Sequence, residues 1–331
     1  MKQIRQYVVA CSVLLAQSGA AHAEATEVRF ARQLGLGYLQ FYVMQDKQMV
    51  ERQAERGGLK VTTTYSGMGT PTAISDALLS GNVDVVGIGL PSFLTLWDKT
   101  RGNMNVRGMM AMNRQPAFLT TRNPNIKSIR DFTENDRIAL PAPKVSVQAI
   151  MLEMIAEKQL GKFDALDHLT VGMSHPDGTA AMLSGKSEIT AHFTSPPFSF
   201  QQLEDPRVHR VVNSFDTMGG PTTFNSAYAT SRFRSENPRT FKAVFDALVE
   251  AHAFIQKNRD DAIRIYIAAE NSKLKPDFIA KMLASPYIEY SVAPQNTMKY
   301  AAFMNKVGSL KNRPASWKDY FFPEAHEQMG S

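Results

Sequence analysis

Hydroxyl side chains stand at three positions where a helix is expected to begin. Two of them follow short apolar segments, in Leu90-Pro91-Ser92 and in Thr194-Ser195-Pro196, and the third is Ser146. The first turn of a helix has unpaired backbone N–H groups and the positive end of the helix dipole, so it attracts anions. These helix starts predict an anion-binding site if the fold brings them together. Ordinary helix capping explains the same hydroxyls without any ligand.

Few charged side chains accompany these hydroxyls. Lys144 lies close to Ser146, and Arg114 follows an apolar segment, but no arginine cluster offers a bidentate clamp for an anion. Apolar and aromatic residues such as Tyr38 and Phe198 are more frequent in the same stretches. The pattern favours a small organic anion with an apolar body over bare nitrate.

Other kinds of chemistry are poorly represented. Gly35-Leu36-Gly37 resembles the start of a dinucleotide-binding fingerprint, but Gln40 stands where the third glycine is needed. The histidines do not have the spacing of a metal site. The sequence contains no G-x-S-x-G nucleophile motif. We therefore predict no metal, no cofactor and no catalytic residue.

Two stretches of the chain, 78–93 and 182–198, repeat one construction. Each has a Leu-Ser-Gly helix end, an acid, a short apolar strand and a turn that contains proline. Glycine after a helix and proline at the start of the next follow the usual preferences at helix boundaries. Ligands bind where strands of an open α/β sheet end on helix starts, so two such units facing each other would form a two-lobed clamp. Chance similarity between two strand–helix units is the alternative.

Strand-like and helix-like segments alternate over the first two thirds of the chain, which is typical of an α/β fold. Strands are expected at 28–30, 60–65, 83–88, 106–112, 117–121, 137–140, 169–171, 188–193 and 208–212. From Pro238 onward, apolar residues recur at helical spacing. The last third is therefore expected to be mainly helical.

The N-terminal residues have the pattern of a secretory signal peptide. A basic start precedes an apolar run over 7–16 and the small-residue site Ala21-His22-Ala23. Cleavage after Ala23 would leave residues 24–331 in the periplasm, without the sole cysteine, Cys11. The formal net charge of +6 is spread along the chain, and no dense basic run suggests a nucleic-acid partner.

Taken in order, these features resemble the periplasmic solute-binding proteins of the nitrate, sulfonate and taurine class of ABC importers. Four segments carry the resemblance, and it rests on their order and spacing over 24–331. They are Ser80–Gly89, Arg137–Pro141 with the helix expected after Val145, Leu183–Pro197, and Pro221–Thr230 with the helix opened by Pro238.

The resemblance implies a two-lobed periplasmic-binding-protein fold of type II, an α/β fold. Two mixed sheets flanked by helices would be joined by two crossovers, near 119–122 and 226–230. The implied organisation is a signal peptide at 1–23, the first part of lobe I at 24–120, lobe II at 121–228, and a return to lobe I with C-terminal helices at 229–331. The protein would be a monomer without enzyme activity that closes around its solute and docks on a membrane permease.

The expected ligand-binding residues combine the helix starts with loops that face the cleft in the family. They are Gln33, Leu36, Tyr38, Gly67, Gly89, Leu90, Pro91, Ser92, Arg114, Lys144, Val145, Ser146, Thr194, Ser195 and Asn225. A ligand-sensing protein and an enzyme of the same fold are the alternatives. Enzymes that resemble this fold use cysteine-bearing sites for pyrimidine-precursor or sulfinate chemistry, and residues 24–331 contain no cysteine.

Processing is the first testable consequence. The mature protein is expected to begin at Glu24 and to carry no lipid, because the small-residue site directly precedes that residue. Intact mass spectrometry of the secreted protein measures this directly. An uncleaved N-terminus, or a mass increment the size of a lipid, would contradict the periplasmic assignment.

Overall fold

The computed structural model describes residues 24–331. The predicted signal peptide, residues 1–23, lies outside the described residues. Within 24–331, no helix is both long enough and apolar enough to span a bilayer.

The strands and helices of the described chain follow the expected α/β alternation. The strands are β1 (Glu27–Arg32), β2 (Thr62–Gly67), β3 (Val85–Gly89), β4 (Arg107–Arg114), β5 (Phe118–Thr121), β6 (Ile138–Leu140), β7 (Thr170–Gly172), β8 (Ala191–Thr194), β9 (His209–Asn213), β10 (Thr223–Ala229) and β11 (Glu289–Tyr290). The helices are α1 (Leu39–Asp46), α2 (Met49–Arg56), α3 (Pro71–Leu79), α4 (Leu90–Lys99), α5 (Val147–Leu160), α6 (His175–Ser184), α7 (Phe198–Gln202), α8 (Ser214–Met218), α9 (Ser231–Glu236), α10 (Pro238–Lys257), α11 (Arg259–Glu270), α12 (Pro276–Leu283) and α13 (Thr297–Lys306).

The strands of residues 24–331 form two mixed sheets. The first sheet has the order β11-β4-β10-β3-β1-β2, and the second has the order β7-β6-β8-β5-β9. In the first sheet β1 pairs in parallel with β2 and β3, while β10 runs antiparallel to both of its neighbours. In the second sheet β6 is parallel to β7 and β8, and β5 is antiparallel to β8 and β9. The predicted α/β architecture of two mixed sheets with flanking helices is confirmed.

The chain passes between the two sheets twice, and both passages precede the positions expected from the sequence. The first lies between Arg114 and Phe118, and the second between Asn213 and Thr223. The expected crossovers at 119–122 and 226–230 fall mostly inside β5 and β10 instead. Both strands are fully buried and mix polar and apolar residues, so their composition does not distinguish a strand from a buried connection.

The two repeated segments form the same unit only in part. The first is α3, β3 and α4, and Gly89 leads directly into the helix. In the second, α6 and β8 are in the corresponding places, but two prolines delay α7 until Phe198 and the helix has five residues. The second unit therefore ends in a turn where the first ends in a long helix.

One hydrophobic core runs through both sheets. Phe93 of α4, Leu119 of β5, Ile150 of α5 and Tyr320 near the C-terminus belong to a single cluster of buried side chains. A second cluster packs α1, α2, α10 and α11 against the other face of the first sheet. The last third is mainly helical, as the apolar spacing after Pro238 predicted, and its helix α10 packs on the first sheet's side.

The C-terminal segment is fastened to β4 at a glycine. The N–H of Gly108 donates to the Tyr320 carbonyl at 2.8 Å, and its own carbonyl accepts from Phe322 N–H at 2.8 Å. The fully buried Phe321 ring lies over Gly108, and it contacts the rings of Phe93, Trp317 and Tyr320 edge-on or tilted. A methyl group on Gly108 would overlap this ring.

Substitution of this glycine tests the packing. Gly108→Ala is expected to lower the free energy of unfolding by about 1–3 kcal/mol, because an inserted methyl group forces a buried ring to move. Urea denaturation measures the change. Gly57→Ala is the matched control, since its added carbon would approach the nearest atom, the Ala54 carbonyl oxygen, only to 3.3 Å. Equal stability of the two variants would contradict this account of the packing.

Candidate functional site

The ligand-binding candidates lie where the carboxyl ends of strands from the two sheets meet. Four contacts join these edges. Ser92 Oγ donates to the Val145 carbonyl at 2.8 Å. The other three contacts bring glycines against the second sheet's side: Gly35 against Pro196, Gly69 against Ser174, and Gly89 against Val147. The carboxyl edge of an open α/β sheet is where such folds bind ligands, so this junction is the candidate site.

The first sheet contributes a group of uncharged polar side chains, which we call the amide row. Its members are Gln33, Tyr38, Asn113, Gln115 and Asn225. Each is at most 5% exposed. Gln33 follows β1, Asn113 and Gln115 lie at the end of β4, and Asn225 is in β10, next to both β3 and β4.

Hydrogen bonds tie the amide row together. The Tyr38 hydroxyl lies 3.1 Å from Gln33 Oε1 and 3.3 Å from Asn225 Oδ1. The Gln33 amide donates to the Gly69 carbonyl at 3.4 Å, next to the contact with Ser174. Burial raises the pKa of Tyr38, so this hydroxyl is neutral at any physiological pH.

Gly37 lies at the centre of the row because no side chain fits there. Its carbonyl accepts from the side-chain amides of both Asn113 and Asn225. A Cβ on Gly37 would overlap the Asn225 amide and would lie 2.9 Å from Gln115 Nε2. The glycine therefore allows three side-chain amides, those of Asn113, Gln115 and Asn225, to converge on one turn.

The second sheet contributes helix starts and buried hydroxyls. Ser146 is 1% exposed and caps α5, with its hydroxyl accepting from Ala149 N–H at 3.2 Å. Thr194 ends β8 and its hydroxyl lies 2.6 Å from His175 Nδ1, while the neighbouring Ser195 is 5% exposed. These three hydroxyls were predicted from the sequence, whereas His175 was not assigned to the site.

Behind Thr194, a second polar cluster surrounds two histidines. Gln202 Nε2 lies 2.7 Å from His192 Nδ1 and donates to Thr179 at 2.8 Å, and Gln202 Oε1 accepts from Thr120 at 2.6 Å. Burial lowers the pKa of His175 to about 4. Burial, and to a lesser extent the neighbouring His175, holds the pKa of His192 well below its ordinary value. Both rings are therefore neutral near pH 7.

The two cations expected at the site point elsewhere. Arg114 pairs with Glu289 and Gln295 at the β11 edge of the first sheet. The Lys144 side chain is 72% exposed and its ammonium lies 3.9 Å from Asp167. Sequence reasoning selected Arg114 because of its charge and passed over its neighbours Asn113 and Gln115. The signal that could have identified them is the change from apolar to polar residues at Asn113-Arg114-Gln115, where β4 ends.

Most of the remaining predicted residues frame the junction through backbone and packing, whereas Gly67 lines the cavity described in the next paragraph. Leu36, Leu90 and Pro91 are buried. Val145 is half-buried, and Gly67 is exposed at the end of β2. The Leu36 carbonyl accepts from the Tyr290 hydroxyl at 2.8 Å. Their side chains thus shape the edges of the site and supply no charge to it.

A cavity of about 620 Å³ opens beside the amide row, and all of its lining residues belong to the first sheet's side. Arg32, Tyr42, Tyr65 and Glu270 are among its lining residues. The Arg32 guanidinium lies 3.6 Å from the centre of the Tyr42 ring and 3.4 Å from Glu270. Burial lowers the pKa of Arg32 to about 10 and raises the pKa of Glu270 to about 7. Because all walls of this cavity come from one side, approach of the two sheets would not enclose a ligand there, so we place the candidate site at the junction.

Comparison with known proteins identifies the fold. The sequence matches no family model and no curated protein. The alkanesulfonate-binding protein SsuA from Xanthomonas axonopodis pv. citri, solved bound to MOPS, has a TM-score of 0.69 at 15% identity, over 93% of this chain and 100% of that one. SsuA from Escherichia coli has a TM-score of 0.66 at 15% identity, over 92% and 100%. The nitrate-binding protein NrtA from Synechocystis PCC 6803 has a TM-score of 0.66 at 13% identity, over 90% and 84%.

These similarities concern the fold, because the identities are low. The periplasmic-binding-protein fold predicted from the sequence is confirmed, and the similar structures come from the class that the sequence resembles. A cluster of three or more His, Cys, Asp or Glu side chains able to hold a metal was not found among residues 24–331.

The buried histidines predict a pH dependence of stability. The His175 pKa is about 4 in the folded chain and about 6.5 when unfolded. The unfolded state therefore binds the extra proton first, and stability is lost as the pH falls from 6.5 towards 4. The loss attributable to this residue is about 3 kcal/mol.

Urea denaturation of the wild type and of His175→Gln at pH 7.5 and pH 4 measures this loss. Glu153 and Glu270, whose pKa values burial raises to about 7, oppose it as the pH falls. They are present in both proteins, so their effect cancels in the difference. We expect the wild type to lose stability relative to the variant on acidification. Parallel pH profiles would contradict a neutral buried His175.

Proposed function

We propose that this protein is the periplasmic substrate-binding component of an ABC importer and that it holds a small solute at the junction of its two sheets. The observation that carries the proposal is the set of four contacts between the carboxyl edges of the two sheets, next to the buried amide row. Similar structures include sulfonate- and nitrate-binding proteins, which supports this function class. The partner would be an inner-membrane permease, and the protein would act as a monomer.

In this proposal, each sheet with its helices is one lobe. Lobe I comprises the first sheet, from both ends of the chain, and lobe II comprises the second. A solute drives closure only if it gains contacts in the closed state that the open state lacks. Gly35, Gly69 and Gly89 let the lobes approach closely, so a solute bound between them would be surrounded by both edges.

The identity of the solute is a separate question. The sequence predicts a small organic anion held at helix starts by Ser92, Ser146 and Ser195. The Ser92 hydroxyl is engaged with Val145, and the Ser146 hydroxyl with the N-terminus of α5. An anion at these turns could therefore accept hydrogen bonds only from their backbone N–H groups and from Ser195. The Ser92 hydroxyl is thus explained by the junction between the sheets and the Ser146 hydroxyl by helix capping, without an anion.

No catalytic reaction is part of the proposal. The cysteine-dependent chemistry of enzymes that resemble this fold has no counterpart in residues 24–331, which contain no cysteine. Transport and ligand sensing would use the same capture step. Uptake of the solute by cells with and without the protein would separate them.

Native mass spectrometry of the protein prepared from its own periplasm tests the capture step. The wild type is expected to carry a small-molecule adduct. In Gly89→Ala, the added carbon would overlap the Val147 side chain across the junction and hinder closure. We therefore expect this variant to lose the adduct, because a ligand that is not enclosed by both lobes dissociates faster.

Gly87→Ala is the matched control for this experiment. Its added carbon would meet Phe41 at 3.1 Å and Met112 at 3.2 Å inside the first sheet's own core, away from the junction. It is expected to lower the melting temperature but to retain the adduct in the folded fraction. Retention of the adduct by Gly89→Ala, or its absence from the wild type, would argue against capture between the lobes.

A further inference from the structure

The amide row leaves two side-chain oxygens, Asn113 Oδ1 and Gln115 Oε1, buried without a hydrogen-bond partner. The side-chain amides of Asn113 and Asn225 both donate to the Gly37 carbonyl, which fixes their orientation. Rotating the Asn113 amide by half a turn would set its oxygen against that carbonyl oxygen. The other atom of Asn113 is therefore an oxygen, and this oxygen is buried without a partner.

A second site without a donor lies at the Tyr38 hydroxyl, where two side-chain oxygens share one proton. It lies within hydrogen-bond distance of both Gln33 Oε1 and Asn225 Oδ1. A phenol has one proton, so it donates to one of these oxygens at a time. The Gln33 amide cannot rotate to relieve this, because its nitrogen donates to the Gly69 carbonyl.

The side-chain cation nearest the row is Arg32, and its charge is already engaged. Its guanidinium pairs with Glu270, stacks on Tyr42 and donates to the Gln33 carbonyl at 3.5 Å. Arg114 lies between two members of the row in the chain and pairs with Glu289 instead. An anionic group here would face carbonyl oxygens without a compensating charge, which buried groups do not tolerate.

We propose that the solute is uncharged and that it donates N–H or O–H groups to Asn113 Oδ1 and to the oxygen pair of Gln33 and Asn225. This inference rests on the proposed function, because it takes the amide row as one wall of the solute site. The class of compound is a small amide, cyclic urea or imide with exposed N–H groups. Such a ligand would donate hydrogen bonds to buried oxygens that otherwise have no partner. Burying an acceptor without a partner costs free energy, so these bonds would stabilise the complex.

The first test uses matched probes on the protein comprising residues 24–331. Imidazolidin-2-one, hydantoin and succinimide supply N–H donors, their fully N-methylated analogues lack them, and methanesulfonate, taurine and benzoate supply the anionic groups. Isothermal titration calorimetry is expected to detect binding of at least one N–H donor. We expect N-methylation to weaken that binding at least tenfold, and the sulfonates and benzoate to bind no more tightly than the methylated compounds.

The outcomes separate the two proposals. Binding of a sulfonate or of benzoate in preference to the N–H donors would overturn the solute class and leave solute capture intact. N-methylated compounds binding as tightly as their parents would also overturn it. If none of these probes binds, the adduct identified by native mass spectrometry decides. A neutral N–H or O–H donor supports the inference, an anion overturns it, and the absence of any adduct overturns the proposed function as well.

A variant tests the acceptors directly. Asn225→Leu removes one acceptor of the row, while the Gly37 carbonyl keeps its bond from Asn113. We expect at least a tenfold loss of affinity for the N–H donor that binds the wild type. Asn258→Leu is the matched control, because this exposed amide at the end of α10 makes one side-chain hydrogen bond, of 3.3 Å to the Phe254 carbonyl, and is not part of the amide row. Unchanged affinity in Asn225→Leu would overturn the role of the row, and if that variant does not fold, the N-methylation series on the wild type decides.

Discussion

The junction between the two sheets depends on the absence of side chains at three positions. Gly35 and Gly69 follow strands of the first sheet, Gly89 ends one, and each lies against a residue on the second sheet's side. An added methyl group would overlap Val147 at Gly89 and would come within 3.2–3.3 Å of the facing atoms at Gly35 and Gly69, so the edges would have to separate most at Gly89, next to the Ser92–Val145 hydrogen bond. The buried amide row lies next to this close approach, since Gln33 donates to the carbonyl of Gly69.

The alternation of elements could be predicted from the sequence because it is encoded locally. Apolar runs such as 83–88 are followed by helix-starting proline, and the resulting strand and helix boundaries lie within a few residues of those observed. The same local signals identified Ser146 and Thr194 at the ends of their elements. Tyr38 and Asn225 were expected at the site from the family resemblance alone, and their contact depends on β10 lying beside β3.

What could not be predicted depends on direction and partners in three dimensions. A charged residue at a strand end suggested a ligand contact, but Arg114 turns towards Glu289, which is far away in the sequence. Asn113 and Gln115 carry no charge and belong to no motif, and their place at the polar end of β4 does not reveal that both approach Gly37. The crossovers lie before the expected positions because β5 and β10 mix polar and apolar residues and are fully buried, so their composition does not mark them as strands.

The position of β10 has a consequence for how the protein is made. β10 lies between β3 and β4, and the other neighbour of β4 is the still later β11. β4 therefore has no strand partner until more than a hundred further residues have been synthesised. The second sheet, by contrast, is contiguous in the chain from β5 to β9 and can assemble as soon as it appears. Vectorial synthesis thus completes the middle of the molecule first, and the exposed edge of β4 must be kept from pairing with other chains until the C-terminal third arrives.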